Sequence, residues 1–146
     1  SLAHRVYAIE RRRDLLELAL ARLRETRPSN LIPIWADAVH WPFPPGVTVG
    51  VLLMRHCRHF ALYFDKLRTV GCRRLLTNAR WRMGVEEIDL TGDRLPFAAV
   101  EIGWYACQCG HVGFVPGPPE RLTPELEASV YEVRDCPACD IHLRRP

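Results

Sequence analysis

RVYAIERRRDLLELALARLRETRPSNLIPIWAD, residues 5–37, reads as strand, helix, strand. Arg5 to Ile9 is short, β-branched and aromatic, the pattern of a buried strand. Glu10 to Arg27 follows as a helix, with Leu15, Leu16, Ala19, Leu20 and Leu23 at helical spacing and Arg and Glu on the other face. Pro28-Ser29-Asn30 ends it. Leu31 to Trp35 is a second strand, and Pro33, which has no N–H to offer a neighbour, predicts an edge position for it. Strand–helix–strand alternation of this kind predicts an α/β layer structure with right-handed crossovers.

The alternation continues downstream. Trp41-Pro42-Phe43-Pro44-Pro45-Gly46 is a stiff loop. Val47 to Met54 is a nearly all-apolar third strand, as expected in a parallel sheet covered on both faces. His59 to Val70 is a helix that stops at Gly71, and Arg73 to Thr77 is a fourth strand. The pattern changes after about Arg82. Val85 to Leu90 is a short strand, Thr91-Gly92-Asp93 a turn and Phe97 to Cys107 a long β segment, for which Val112 to Val115 is the returning partner. Thr123 to Ala128 is a helical turn and Ser129 to Arg134 the last strand. The expected organisation is an α/β region over 1–84 and an antiparallel β region over 85–146, together one continuous domain.

Composition bounds the function. The chain has 146 residues, of which 48% are hydrophobic and 25% charged, values of a globular protein with a real core. The longest apolar run, Val47 to Met54, is too short to span a bilayer, and charge arrives in Ser1-Leu2-Ala3-His4-Arg5 before any signal-peptide core. The expected location is cytoplasmic, without a membrane. The net charge is +3, and Lys66 is the single lysine, so the positive charge is nearly all arginine. Arginine suits phosphate contacts, which keeps nucleic acid open as a partner, although an Arg-rich, Lys-poor, Pro-rich chain also reflects a GC-rich genome.

Four of the six cysteines fall into two close pairs. Zinc takes four tetrahedral ligands, and thiolates suit it. Cys136-Pro137-Ala138-Cys139 is a strong half-site, because a tight turn points both sulfurs at one ion. Cys107-Gln108-Cys109-Gly110 is a shorter half-site, in which Gly110 gives the backbone room to turn. Cys107 and Cys109 face opposite ways on an extended strand, so the chain must turn there for both to bind. His111 is an alternative ligand. Free buried thiols or disulfides are the competing reading. With four protein ligands a zinc ion is structural rather than catalytic. Cys72 reads as a small core residue. His56, Cys57 and His59, in Met54-Arg55-His56-Cys57-Arg58-His59, stand at the end of the third strand, where α/β sheets bind ligands.

The first half resembles a known family. Arg5-Val-Tyr-Ala-Ile-Glu10 resembles the second strand of class I S-adenosylmethionine-dependent methyltransferases, which ends in an acid that accepts hydrogen bonds from the cofactor ribose. Ile34-Trp35-Ala36-Asp37-Ala38 resembles the third strand and its loop, whose Asp contacts the adenine amino group. Val47 to His56 resembles the fourth strand, and Leu62 to Asn78 the fifth helix–strand unit. The resemblance implies a partial Rossmann-like sheet, cofactor contacts from Glu10, Asp37 and Ala38, and a substrate edge at Arg55, His56 and His59, with His56 as the candidate base. The family's first strand and Gly-rich turn belong before Arg5, where Ser1 to His4 stand. A longer protein, a second copy or a partner chain that completes the sheet, or a closed-up sheet without cofactor each accounts for this. The chain alone is therefore expected to bind the cofactor weakly or not at all and to be inactive. The Asn/Asp-Pro-Pro-aromatic signature of base-amino methyltransferases is replaced by Met54-Arg55-His56-Cys57. Two other roles compete. One is a non-catalytic zinc module that presents Arg121, Arg134, Arg144 and Arg145 to nucleic acid or protein. The other is assembly through Trp35, Trp41, Phe43 and Trp104.

Overall fold

A computed structural model describes residues 3–26 and 28–139. The chain is mixed α/β and divides into two compact units, Ser1–Pro42 and Phe43–Pro146. The division lies well before the expected change at residue 84. The reason is that the strand following residue 84 hydrogen-bonds to the α/β strand before it.

In the first unit β1 (Val6–Glu10) and β2 (Leu31–Trp35) pair in parallel, joined by α1 (Arg13–Thr26). Pro33 is on an edge strand, as its missing N–H requires. The helix turns Leu16, Leu20 and Leu23 inward, one stripe at helical spacing, while Leu15 and Leu18 are 40% and 53% exposed. No described residue of this unit is buried.

The second unit has two cores. β3 (Val49–Leu52) and β4 (Arg74–Thr77) are parallel, and β5 (Glu86–Asp89) is antiparallel to β4. The helix α2 (Phe60–Thr69) covers this sheet, packing Phe60, Phe64 and Leu67 with Leu75, Ile88 and Leu90. Gly50 permits the approach, since a Cβ there would meet Leu67 Cδ1 at 2.6 Å. Gly71, at φ +78, closes the helix, with the Cys72 N–H bonded to the Leu67 carbonyl. Cys72 is a core residue, 2% exposed.

The second core lies under β6 (Gly103–Cys107), β7 (Val112–Val115) and β8 (Val130–Val133). A short helix, α3 (Pro124–Ala128), precedes β8, with the Thr123 hydroxyl accepting from the Leu126 N–H. Two expectations fail here. Residues 97–107 are not one β segment: a 3-10 turn occupies Phe97–Ala99 and the strand begins at Gly103. The region is not wholly antiparallel either, because β8 runs parallel to β6. Both cysteine pairs follow strand ends, Cys107 closing β6 and Cys136 lying just past β8, and adjacent strands bring such ends together only when they run the same way.

Arg80 joins the two cores. Its side chain is 1% exposed, and it donates through Nε and Nη2 to Glu86 at 2.7 and 2.5 Å and through Nη1 and Nη2 to Glu132 at 3.0 and 2.6 Å. Burial opposes the charge, but the two carboxylates outweigh it and hold the Arg80 pKa above its ordinary value.

Among the described residues the strands form three small sheets, ordered β1-β2, β3-β4-β5 and β7-β6-β8. No described helix is long and apolar enough to cross a membrane.

Candidate metal centre

Cys107, Cys109, Cys136 and Cys139 place their sulfurs within 4.8 Å of one another. The β6–β8 pairing does this by setting Cys107 opposite Val133, three residues before Cys136. Two tight turns aim the sulfurs. The Gly110 N–H bonds the Cys107 carbonyl at 2.9 Å, and the Cys139 N–H bonds the Cys136 carbonyl at 3.0 Å. Gly110 sits at φ +95, a conformation that a side chain resists. The Cys136 N–H also points at Cys139 Sγ, 3.3 Å away, as backbone donors do to a thiolate.

Three of the six sulfur–sulfur distances match a tetrahedral ion, and all six lie within 4.8 Å. Zinc–sulfur bonds of about 2.3 Å at the tetrahedral angle set sulfurs about 3.8 Å apart. Cys107–Cys139 is 3.6 Å, Cys109–Cys136 is 3.7 Å and Cys136–Cys139 is 3.8 Å, whereas a disulfide holds its sulfurs at about 2.05 Å. All six cysteines are free. The four therefore form a cluster able to hold a metal ion such as zinc. His111 is not in the cluster. Its Nδ1 lies 3.3 Å from the Tyr105 hydroxyl, with the two rings tilted together behind the knuckle.

The electrostatics are those of crowded thiols. Hydrogen bonding from Cys107 lowers Cys109 to about 5 against the effect of burial, with the His111 N–H and the Cys136 and Cys139 thiols helping. Cys107, the donor, is pushed far up, and burial adds to that. Burial raises Cys136 to about 12. At neutral pH the Cys107 and Cys136 protons must then leave before both sulfurs can ligate. Between about pH 6 and 8, apparent zinc affinity is expected to rise with pH, by at least about two log units per pH unit, from these two protons alone. Chelator competition at several pH values measures this slope, and a flat profile contradicts it.

The other expected site residues are placed as follows. Glu10 ends β1 and Asp37 follows β2 by two residues, at the same end of the parallel pair. Glu10 Oε1 accepts from the Arg12 N–H at 2.7 Å and Asp37 Oδ1 from the Val39 N–H at 2.9 Å. Ala38 is half-buried beside them. Arg55, His56 and His59 are exposed on the turn after β3, with His56 at φ 55, and Cys57 is half-buried against the first core of the second unit. Arg121 faces Glu101 at 2.5 Å and Arg134 faces Asp135 at 3.7 Å, while Arg144 and Arg145 lie outside the described residues. The four aromatics proposed as one patch do different things. Trp35 is 61% exposed, Trp41 is half-buried, Phe43 packs on the first core of the second unit, and Trp104 carries the Arg82 guanidinium 3.6 Å above its ring.

No protein-family model, curated protein or solved structure matches the chain.

Proposed function

We propose that this chain carries the acid-bearing and substrate-edge strands of an S-adenosylmethionine-dependent methyltransferase-like domain, braced by a structural zinc ion on the four cysteines. The carrying observation is the parallel β1–β2 pair. It sets Glu10 opposite Trp35 and bonds the Ala36 N–H to the Glu10 carbonyl at 3.2 Å, so the Asp37 turn leaves the sheet beside Glu10. Two acids at the carboxyl end of neighbouring parallel strands suit a nucleoside, one carboxylate for the ribose hydroxyls and one for the base amino group. Ala38, small and next to Asp37, leaves room for the ring. Parallel β3–β4 with antiparallel β5 also suits the fold of the resembled family.

In this reading Glu10, Asp37 and Ala38 hold and orient the cofactor, which supplies the methyl group. Arg55, His56 and His59 face the acceptor, and His56 is the first candidate to take its proton. Methyl transfer is an in-line displacement, so positioning carries most of the rate. Zinc holds β6 to β8 and takes no part in the chemistry.

The test is calorimetry with S-adenosylhomocysteine on the product of the full coding sequence. Glu10→Ala and Asp37→Ala are each expected to weaken binding by 10-fold or more, about 1.4 kcal/mol. Unchanged affinity in both variants, or no binding by the parent protein, contradicts the cofactor reading.

A further inference from the structure

We propose that the zinc knuckle holds the turn between β3 and α2 in its present conformation, through the contact of Gly110 with Phe60, so that metal occupancy sets the geometry of Arg55 to His59. The inference rests on the zinc reading and on no assumption about the cofactor.

The contact is tight and lies between stiff parts. A Cβ on Gly110 would stand 3.0 Å from Phe60 Cδ1 and 3.1 Å from its Cβ and Cγ. The Phe60 atoms that leave no room for that Cβ include the root of the side chain, not only its swinging end. On one side Gly110 is the residue after Cys109, and its N–H is bonded to the Cys107 carbonyl, so ligation of both sulfurs fixes its backbone. On the other side Phe60 opens α2, is 2% exposed and donates its N–H to the Cys57 carbonyl at 3.3 Å.

The turn's other supports are local: the Thr77 hydroxyl on the Leu52 carbonyl, the His59 N–H on the Cys57 thiol and the His59 ring against Tyr63. From Leu53 to His59 every residue is exposed except Cys57, which is half-buried. His56 sits at φ 55, a left-handed conformation that is uncommon for a residue with a side chain. Phe60 and Cys57 are the two inward anchors, and the metal knuckle bears on the first. Without metal the knuckle loses its imposed shape, Phe60 loses a wall, and the turn is free to relax His56. Phe60 is thus a positioning residue for this turn.

Coupling of this sort is reciprocal. Whatever zinc does for the turn, a change at Phe60 must do to zinc. Phe60→Leu keeps an apolar side chain in the core and leaves the cysteines and Gly110 untouched. It is expected to weaken zinc binding by roughly 10-fold in competition with a chromogenic chelator.

The second measurement is hydrogen exchange by mass spectrometry on the wild-type chain, zinc-loaded and zinc-stripped. Amides from Cys57 to Phe60 are expected to exchange at least 10-fold faster without zinc. Those of β4 should be little changed, since that strand is hydrogen-bonded along both sides, to β3 and to β5. Three results overturn the proposal: Phe60→Leu zinc affinity within roughly two-fold of wild type, turn exchange that ignores zinc, or loss of protection spread equally over the turn and β4. The exchange comparison needs no variant, so it decides the matter even where Phe60→Leu does not fold. Neither readout involves S-adenosylhomocysteine, so failure here and failure of the cofactor reading are separate results.

Discussion

Cys136→Ser is expected to lose stoichiometric zinc and to unfold the sheet of β6, β7 and β8. Of the five buried residues in that core two are cysteines, Cys107 at 0% and Cys136 at 9% exposure, and Cys109 and Cys139 pack against them. A metal on these sulfurs would therefore be part of the core rather than an ornament on it. A buried serine in place of Cys136 leaves a poor ligand and three crowded thiols. In zinc-finger peptides the metal contributes about 10–16 kcal/mol of apparent binding free energy, and that free energy is folding free energy. The rest of that core, Val100, Tyr105 and Val133 with Phe97, Val115 and Tyr131 packed against them, is too small to match a contribution of that size. Metal analysis should fall from one zinc per chain to well below it, and near-UV circular dichroism of Trp104 and Tyr105 should collapse under reducing conditions. A Cys136→Ser protein that keeps both its zinc and its aromatic signal would remove the structural role.

Arg80→Ala is expected to cost roughly 3–5 kcal/mol of stability, the range for breaking a buried ion pair from one side. The guanidinium has a 1% exposed side chain and meets two carboxylates, Glu86 at 11% and Glu132 at 36% exposure. Removing it leaves both acids facing each other where water reaches only one of them well. Glu86→Ala should cost more than Glu132→Ala, because Glu86 is the less solvated partner. Arg80→Lys should recover only part of the loss, since one ammonium cannot reproduce the planar fork that serves both acids. Urea unfolding followed by tryptophan fluorescence measures all four variants. A loss below about 1 kcal/mol in Arg80→Ala would reduce the clamp to a surface pair. This clamp ties β5 to β8, so its loss should also loosen the two cores of the second unit from each other.

Neither the clamp nor the Gly110–Phe60 contact is legible in the chain. Arg80 stands in Asn78-Ala79-Arg80-Trp81-Arg82 beside another arginine of the same type, and nothing local marks it as the buried one. Glu132 is 52 residues away. Gly110 is a turn residue by its sequence and in the structure, but a glycine shows nothing of what lies above it. The parallel run of β8 is a different case, because its signal was available. Two half-sites that each follow a strand end can meet only if those strands run in the same direction. Apolar patterning, which sees faces and not directions, could not supply that.

What the amino-acid order determined by itself is the series of elements and the ligand chemistry. Strand and helix periods, Pro28, Gly71 and the two cysteine pairs act within a few residues. They predicted β2 and β7 at their observed bounds and most other elements to within a few residues. Glu10 and Asp37 at strand ends belong to the same local class of signal. Only the tertiary structure decided which strands pair, that the four cysteine sulfurs close to within 4.8 Å, and that Gly110 faces Phe60. Those are contacts between segments far apart in the chain. Their geometry is set by packing of whole sheets and helices, which no single stretch of residues encodes.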